Sequence, residues 1–302
     1  QPTSVEEVGL FTKGQIVVSS LQPTANLDIV KALRDAGVTT MAMELMPRIT
    51  RAQSMDILSS QATVSGYKAV LLGANAIGKF LPMLTTAAGT VRPAKTLTLG
   101  AGVAGLQALA TFRRLGAVME AFDVRPAVKE QVESLGAKFL ELDVGDMEDE
   151  GGYAKALSKD QHEQELALIA GSIKGVDVVV TTAQIPGRKA PILITREMVE
   201  SMKPGSAIVD LAAETGGNCE LTVAGETVIH NDVQILGPVN LPATMPYHAS
   251  MMFSKNLVTF VMEMVDKETG SLNLNFDNEV IAGVCVTHEN DVRHEATKEA
   301  MG

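Results

Sequence analysis

The feature that most constrains the fold is a glycine motif that follows a short apolar stretch. Residues 96–99 have the composition of a buried strand, and Gly100, Gly102 and Gly105 then give the pattern G-x-G-x-x-G. The apolar spacing that follows predicts a helix beginning near Val103. The first glycine permits a tight turn, the second lets the backbone approach a pyrophosphate, and the third lets helix and strand pack closely. The motif predicts an α/β sheet that binds a dinucleotide; the alternative is a glycine-rich turn that binds nothing.

A second apolar stretch ends at Asp123, eighteen residues beyond Gly105. A carboxylate at that distance is placed to accept hydrogen bonds from the hydroxyl groups of the adenosine ribose. It also repels a phosphate on the 2′ position, so the sequence favours NAD over NADP. Arg125 leaves an alternative open, because a neighbouring arginine can receive that phosphate or can simply be a surface residue that opens the next helix.

The composition predicts globular domains and no metal site. The 302 residues exceed the usual size of one domain, and 46% hydrophobic residues suffice for a core. A net charge of −11 without a basic stretch disfavours nucleic acid and anionic membranes as main partners. Cys219 and Cys285 stand alone, which predicts neither a disulfide nor a metal site. No apolar stretch is long enough to span a membrane, and the start at Gln1 predicts that an N-terminal segment has been lost.

The order of the apolar stretches predicts two domains. Two long helices are expected at residues 60–81 and 243–265, on either side of the region that contains the glycine motif. We therefore expect a nucleotide-binding domain at residues 61–242. Residues 1–60 and 243–302 should form a discontinuous partner domain, which starts with a strand, a helix and a second strand.

Residues 43–61 are the most polar stretch outside the glycine motif, and they follow a predicted strand. They include Arg48, Arg51, Gln53 and Asp56. Open α/β sheets bind ligands at the carboxyl ends of their strands, so we expect this loop to border a cleft that holds the nicotinamide end of the dinucleotide. The alternative is a solvated loop whose Arg–Asp pair leads into a helix.

Other loops and the tail carry less specific predictions. Residues 143–152 are acidic and end in glycine, which predicts a surface loop, and Tyr153 beside them either packs the loop or closes over a ligand. A plain loop is expected at residues 89–93. Residues 272–287 alternate between apolar and polar, which predicts small antiparallel strands, and the polar residues after His288 are expected to fray.

Several stretches of the sequence resemble one family. MELMPRITRAQSMD, GAGVAGLQA, FDVR, GGYAK and IVDLAAETGGN are similar to the NAD(H)-binding domain of proton-translocating NAD(P) transhydrogenase. Alanine dehydrogenases resemble the chain more distantly. The resemblance covers nearly the whole chain and implies an α/β fold of two Rossmann-like, doubly wound domains linked by two long helices. It also implies that the first, discontinuous domain lacks its N-terminal part.

The resemblance assigns site residues position by position. It implies that the nicotinamide and its ribose are held by a catalytic group, Arg48, Gln53 and Asp56, with Ser59 near the carboxamide. The other cofactor contacts in this loop are Ile49, Thr50, Ser54 and Met55. Val103, Ala104 and Gly105 match the family's pyrophosphate contacts, to which the glycine motif adds Gly100 and Gly102. Asp123, Val124 and Arg125 match its adenosine-ribose contacts. Gly152 and Tyr153 match a mobile loop that closes on the nucleotide, and Glu165 and Gln184 match peripheral contacts.

The resemblance implies that the chain is the NAD(H)-binding component of the transhydrogenase and is active only with its partners. Hydride would pass directly from NADH to NADP⁺ bound on a partner domain, and a membrane-spanning partner would couple this transfer to proton translocation. The resemblance also implies a homodimer. It implies a cytoplasmic location, peripheral on the inner face of a bacterial membrane, or the mitochondrial matrix in a eukaryote.

Two other functions stay open from the sequence. An alanine dehydrogenase needs acid–base groups, yet Gln22 aligns with the catalytic histidine of that family and Glu214 with an aspartate. A glutamine cannot exchange protons near neutral pH. The histidines lie in no recognisable cleft motif, and each is expected at the surface or in the core: His162, His230, His248, His288 and His294. The other function is a non-catalytic NAD(H)-sensing module, which would not need the polar loop at residues 48–56.

Overall fold

The computed structural model describes residues 3–142, 157–184 and 189–302. The chain divides into two compact units, one made of Gln1–Gln61 with Tyr247–Gly302 and the other of Ala62–Pro246. Each unit has its own sheet and its own hydrophobic clusters. Within the described ranges, no helix is both long enough and apolar enough to cross a membrane.

Strands and α-helices alternate through much of the described chain. The strands are β1 (Ile16–Ser19), β2 (Thr39–Ala42), β3 (Leu84–Thr86), β4 (Gly89–Val91), β5 (Lys95–Leu99), β6 (Val118–Phe122), β7 (Lys138–Leu140), β8 (Val178–Thr181), β9 (Ala207–Asp210), β10 (Thr227–His230), β11 (Val233–Leu236), β12 (Cys285–His288) and β13 (Asp291–Val292). The α-helices are α1 (Val5–Val8), α2 (Leu27–Asp35), α3 (Ile57–Ala76), α4 (Val103–Arg114), α5 (Lys129–Ser134), α6 (Lys159–Ile173), α7 (Arg196–Ser201), α8 (Pro246–Glu263), α9 (Glu279–Val284) and α10 (Glu295–Met301).

The unit Ala62–Pro246 is built on a seven-stranded sheet in the order β10-β11-β9-β8-β5-β6-β7. Neighbouring strands pair in parallel except for β10 and β11. Strands β8 and β9 are buried along their whole length, as is typical of a parallel sheet covered on both faces. The order reverses at β5, which lies between β6 and β8, and the predicted Rossmann-like fold is confirmed.

Apolar side chains cover both faces of this sheet. Val178 and Val180 of β8 belong to one hydrophobic cluster, together with Phe112 of α4. Val179, between them in sequence, belongs to a second cluster together with Ile169 of α6. Successive residues of a strand point to opposite faces, so the same strand anchors a helix layer on each side.

The unit formed by the two ends of the chain contains a four-stranded sheet in the order β1-β2-β12-β13. Strands β1 and β2 are parallel, whereas β12 is antiparallel to β2 and to β13. Met41 and Ala42 are neighbours on β2 but belong to different clusters, which contain Phe260 of α8 and Leu33 of α2 respectively. This unit is therefore also an α/β layer structure, as the sequence predicts.

Two predictions near the start of the second unit are wrong in detail. The helix predicted at residues 60–81 is α3, which begins at Ile57 and ends at Ala76. Gly78 and Pro82 follow it and disfavour further helix, although the apolar character continues through the buried Leu81. The loop predicted at residues 89–93 contributes strand β4, which pairs with β3 in an antiparallel hairpin.

The tail is more ordered than its composition suggests. Of the strands predicted within residues 272–287, β12 forms, whereas the residues just before it form α9. The expected fraying after His288 is wrong, because β13 pairs with β12 and α10 follows. Val292 and Thr297 are buried, and this burial holds the tail against its unit. The acidic loop predicted at residues 143–152 lies outside the described residues.

Candidate nucleotide-binding site

The glycine loop between β5 and α4 has no room for a side chain at two of its three glycines. Gly100 has a φ of +93°, and a Cβ there would lie 2.6 Å from Thr182 Oγ1. A Cβ on Gly105 would lie 1.9 Å from the carbonyl oxygen of Gly100, so helix and strand pack as closely as the motif predicts. A Cβ on Gly102 would meet nothing within 4 Å. The loop is packed against its own sheet and borders open space at Gly102, which leaves room for a pyrophosphate.

Helix α4 begins in this loop and presents its amino end there. Gly102 is the N-cap, and no side chain within the described ranges caps the helix. The first N–H groups of a helix have no partner within it, and the positive end of the helix dipole lies at the same place. At this end of the helix, Val103 is exposed and Ala104 is half-buried. Together these features suit an anionic group such as a phosphate.

Asp123 lies directly after β6, and its carboxylate accepts four hydrogen bonds from residues that the structure describes. Oδ2 accepts from the backbone N–H of Ala101 at 2.7 Å and from Nη2 of Arg125 at 2.9 Å. Oδ1 accepts from the backbone N–H and from Nε of Arg125, each at 2.9 Å. The bond to Ala101 ties the carboxylate to the glycine loop. Because two oxygens offer about four acceptor positions, a ribose hydroxyl must share or replace one of these donors.

Arg125 has neither of the two roles that the sequence suggested for it. Its guanidinium pairs with Asp123 through two parallel hydrogen bonds, and its side chain is only 13% exposed. It is therefore neither a solvated surface residue nor an unengaged receptor for a 2′-phosphate. Val124, between the two, is half-buried and packs against the cluster that contains Val179.

Glu165 is a buried acid on α6. Its side chain is 4% exposed, and Oε2 lies 2.8 Å from Nδ1 of His162. Burial raises the pKa of the Glu165 carboxyl, the hydrogen bond and charge of His162 oppose this, and the charge of Asp123 raises the pKa further. The electrostatic coupling links Glu165 to the Asp123 end of the site. His162, expected as an ordinary surface or core residue, has a specific acidic partner.

The polar loop of the first unit forms a pocket. Thr50–Met55 is a 3-10 helix between β2 and α3. A cavity of about 370 Å³ opens beside it and is lined by Pro47, Arg48, Ile49, Ala52, Gln53, Asp56 and Ser59. The structure thus brings the three predicted catalytic residues together with two of the predicted cofactor contacts.

Asp56 and Arg51 use their charges in different ways. Asp56 caps the amino end of α3, because Oδ1 accepts from the N–H of Ser59 at 2.9 Å and Oδ2 accepts from its hydroxyl at 2.5 Å. Arg51 contacts Asn278, Glu263 and Glu279. Arg51 therefore does not form the Arg–Asp pair considered from the sequence. Ser59 orients the Asp56 carboxylate.

Three other predicted loop contacts lie outside the lining of this cavity. Thr50 and Ser54 are exposed, and the carbonyl of Ser54 accepts a 2.8 Å hydrogen bond from Nδ2 of Asn256. The side chain of Met55 is buried in the hydrophobic core beside the loop. A side-chain contact from Met55 to a cofactor is excluded by this packing, which leaves its backbone.

Gln184 follows β8 at the carboxyl edge of the second unit's sheet. It is exposed, and its Nε2 donates to the carbonyl of Leu211 at 3.0 Å. Gly152 and Tyr153 lie outside the described residues, so their assignment stays a prediction.

Sequence reasoning missed a buried polar group at the same edge. Asp210 and Asn218 are fully buried, and both belong to the stretch IVDLAAETGGN. Thr182 hydrogen-bonds the carbonyl of Gly100 at 3.0 Å and so supports the glycine loop from the neighbouring strand. The signal that could have revealed this group is a charged residue at the end of an otherwise apolar strand.

The positions compared with alanine dehydrogenase have local structural partners. The backbone N–H of Gln22 donates to the carboxylate of Glu44, and Gln22 has a φ of 49°. Glu214 accepts from the backbone N–H of Asn240 at 2.8 Å. No histidine lines the cavity beside Arg48 as the described residues define it.

The family models that match this chain cover both units. The alanine dehydrogenase/PNT N-terminal domain matches residues 1–65, and the alanine dehydrogenase/PNT C-terminal domain matches residues 69–295.

Individual relatives and a solved structure agree with this match. A chain of the NAD(P) transhydrogenase alpha subunit from Rhodospirillum rubrum is 48% identical over 96% of this chain and 77% of its own length. NAD(P) transhydrogenase subunit alpha of Haemophilus influenzae is 45% identical over 95% of this chain, which spans 56% of that protein. The crystal structure of transhydrogenase from Sinorhizobium meliloti has a TM-score of 0.86 and 48% identity, over 96% of this chain and 79% of that one. The chain therefore belongs to the alanine dehydrogenase/PNT family and, within it, to the alpha subunits of NAD(P) transhydrogenase.

Proposed function

We propose that this chain binds NAD(H) and exchanges hydride between it and an NADP(H) molecule held by a partner domain. The observation that carries the proposal is the geometry at the ends of β5 and β6. There the glycine loop borders open space at Gly102, and the buried Asp123 is tied to the loop through the N–H of Ala101. The name NAD(P) transhydrogenase, borne by relatives with 45–48% identity, supports the same assignment.

The adenosine and pyrophosphate half is assigned to the second unit. The N–H groups at the start of α4 hold the pyrophosphate, supported by Gly100, Gly102, Val103, Ala104 and Gly105. Asp123 accepts hydrogen bonds from the ribose hydroxyls once donors of Arg125 give way, and Val124 and Glu165 border this end. Gly152 and Tyr153 are proposed to close on the bound nucleotide.

The nicotinamide half is assigned to the polar loop, Arg48–Asp56, with Ser59 near the carboxamide. The support is the cavity that Arg48, Ile49, Gln53, Asp56 and Ser59 line together. Thr50, Ser54 and Met55 contribute through the backbone of the same loop. Gln184 contributes through the turn that follows β8.

The chemistry requires positioning more than proton transfer. When bound, the nicotinamide ring supplies the carbon that gives or accepts hydride. Transfer between two such rings moves no substrate proton, so the protein must fix the ring and exclude water. Gln22 suits this demand, since its amide cannot exchange protons near neutral pH. An alanine dehydrogenase, in contrast, needs an acid–base group at this point.

The proposed partners follow from the family. An NADP(H)-binding domain supplies the second nicotinamide, and a membrane-spanning domain couples hydride transfer to proton translocation. The chain is proposed to act as a homodimer on the cytoplasmic face of a bacterial membrane, held there by its partners, or in the mitochondrial matrix of a eukaryote.

The proposal is tested by reconstituting hydride transfer. The purified chain is mixed with the NADP(H)-binding subunit of a transhydrogenase, NADPH, and an NAD⁺ analogue whose reduced form has a distinct absorbance. We expect reduction of the analogue only when both proteins are present, and no NADH from alanine and NAD⁺. Alanine-dependent formation of NADH, or no transfer with both proteins present, would contradict the proposal.

A further inference from the structure

The segment of residues 182–184, directly after β8, is held in place by polar groups that no cofactor contact explains. Strand β8 is the neighbour of β5 on the side opposite to β6. A dinucleotide in a doubly wound sheet crosses the carboxyl edge where the strand order reverses. If the adenosine ribose lies at Asp123, after β6, the nicotinamide half extends toward β8. Ala183 and Gln184 lie there, just after the end of β8.

Asn218 binds this segment through both the oxygen and the nitrogen of its side-chain amide. Its Oδ1 accepts from the N–H of Ala183 at 3.1 Å, and its Nδ2 donates to the carbonyls of Ala183 and Pro191, each at 2.8 Å. The carbonyl of Asn218 also accepts from the N–H of Leu193 at 2.8 Å. Asn218 is fully buried, so these bonds do not compete with water. One residue therefore fixes both peptide groups of Ala183 and also holds the carbonyl of Pro191.

Asp210 holds Asn218 in turn. Its Oδ2 accepts from the N–H groups of Asn218 at 2.7 Å and Cys219 at 3.1 Å, and from the Thr222 hydroxyl at 2.6 Å. Its Oδ1 accepts from the Thr181 hydroxyl at 2.8 Å and from a further backbone N–H. A fully buried carboxylate is stable when its oxygens are satisfied in this way. Asp210 thus ties the end of β8 to the loop that carries Asn218.

The same chain of bonds reaches the glycine loop. Thr182, next to Ala183, donates to the carbonyl of Gly100 at 3.0 Å. Gln184 donates to the carbonyl of Leu211 at 3.0 Å. Residues 182–184 are therefore bonded at one end to the glycine loop, which is proposed to hold the pyrophosphate. At the other end they are bonded to Leu211, the residue after Asp210.

We propose that Asn218 is a positioning residue for the nicotinamide half of bound NAD(H), with Asp210 as its support. Asn218 touches no cofactor atom in this proposal; it acts by fixing the backbone of Ala183 and Gln184. The proposal rests on the proposed NAD(H) binding. It assigns a function to a buried residue, Asn218, that lies 35 positions from Ala183, the residue whose backbone it binds.

The test compares NADH with 5′-AMP, which lacks the nicotinamide half. In Asn218→Asp, Oδ1 still accepts from Ala183, but the lost donor turns two hydrogen bonds into repulsion against carbonyl oxygens. Leaving buried polar groups unpaired should weaken NADH binding at least about tenfold, while the affinity for 5′-AMP stays within about threefold. Gln234→Glu is the matched control, because Gln234 also donates from its amide to a backbone carbonyl, that of Ala76 at 2.8 Å. We expect this control to alter neither affinity.

Each outcome decides between the proposals. Unchanged NADH binding by folded Asn218→Asp, or an equal loss of NADH and 5′-AMP, would overturn the positioning role. If Asn218→Asp does not fold, Thr222→Val decides: it removes one hydroxyl bond to Asp210 without adding charge, and it should weaken NADH selectively by about threefold. Equal effects on both ligands, or none, would overturn the role there as well. A wild-type chain that binds neither ligand would instead refute the proposed function.

Discussion

Asp123 is the residue that we propose sets the choice between NADH and NADPH, and several groups hold its carboxylate. Its carboxylate is tied to the glycine loop and paired with Arg125, so its orientation is fixed. In Asp123→Asn the charge that repels a 2′-phosphate is removed, and the Arg125 guanidinium no longer faces a carboxylate that offsets its positive charge, so it attracts that phosphate more strongly. We expect the preference for NADH over NADPH to fall from at least about tenfold, or about 1.4 kcal/mol, toward equality. Titration of the variant with both nucleotides measures this, and an unchanged ratio would exclude the role of Asp123.

Arg48 and Gln53 line the cavity beside the 3-10 helix and are assigned to the nicotinamide. Arg48→Ala or Gln53→Ala should slow hydride transfer by one or more orders of magnitude, because a misplacement of about 1 Å can cost about 10²-fold. NADH binding should change less, since we propose that the adenosine half is held by the glycine loop and Asp123. Single-turnover transfer with the NADP(H)-binding subunit gives the rates.

Arg51→Ala is the matched control for these variants. Arg51 belongs to the same 3-10 helix, but it contacts Glu263 and Glu279 and does not line the cavity. Its removal should leave transfer within about twofold of the wild type, because exposed ion pairs contribute little. Equal losses in Arg48→Ala and Arg51→Ala would point to the stability of the loop rather than to contact with the ring.

Glu165 predicts a pH dependence of stability. Burial raises the pKa of its carboxyl above the usual 4.5, so the folded chain binds this proton more tightly than the unfolded chain does. Tighter proton binding by Glu165 stabilises the folded chain fully below pH 4.5. This stabilisation is lost as the pH rises through the raised pKa. Glu165→Gln stays neutral at every pH. The melting temperature of the variant minus that of the wild type should therefore be larger at about pH 7 than at about pH 4. An equal difference at both values would show that Glu165 titrates normally.

The strand, loop and helix around the glycine motif form one element whose folding and binding roles can be separated. In Gly105→Ala the new Cβ would lie 1.9 Å from the Gly100 carbonyl, and overpacking of this kind costs about 1–3 kcal/mol or more. Gly102 has ordinary extended backbone and no neighbour within 4 Å of a Cβ. We expect Gly102→Ala to fold normally and to weaken NADH binding at least about tenfold, because the methyl group occupies the space of the pyrophosphate.

Denaturant unfolding and NADH titration of the two glycine variants separate these effects. Gly105→Ala should lose stability, whereas Gly102→Ala should keep it and lose affinity. Wild-type affinity in Gly102→Ala would mean that the phosphate does not approach this part of the loop.

Elements with a local cause were predictable from the sequence. Strand β5, the turn at Gly100 and helix α4 follow from adjacent apolar and glycine residues. The end of α3 was misplaced because Leu81 is apolar and buried although it lies outside the helix. Helix α10 was missed because its order depends on the burial of Thr297 against its unit, which its polar sequence does not reveal.

For the whole molecule, the alternation of strands and helices was enough to predict the α/β class, and the family resemblance implied the Rossmann-like fold. Partners distant in sequence were not predictable. Asp210 binds Thr181, and Asn218 binds Ala183, across 29 and 35 positions, and only the folded sheet brings them together. The pairing of Arg125 with Asp123 also needed the structure, because the sequence allows the side chain to point either way.

A calorimetric titration of the purified chain with NADH and with NADPH tests the proposed NAD(H) site most directly. Binding of NADH at one site per chain, at least about tenfold tighter than NADPH, is the predicted result, because Asp123 accepts ribose hydroxyls and repels a 2′-phosphate. Equal affinities for the two nucleotides, or no binding of NADH, would contradict the account.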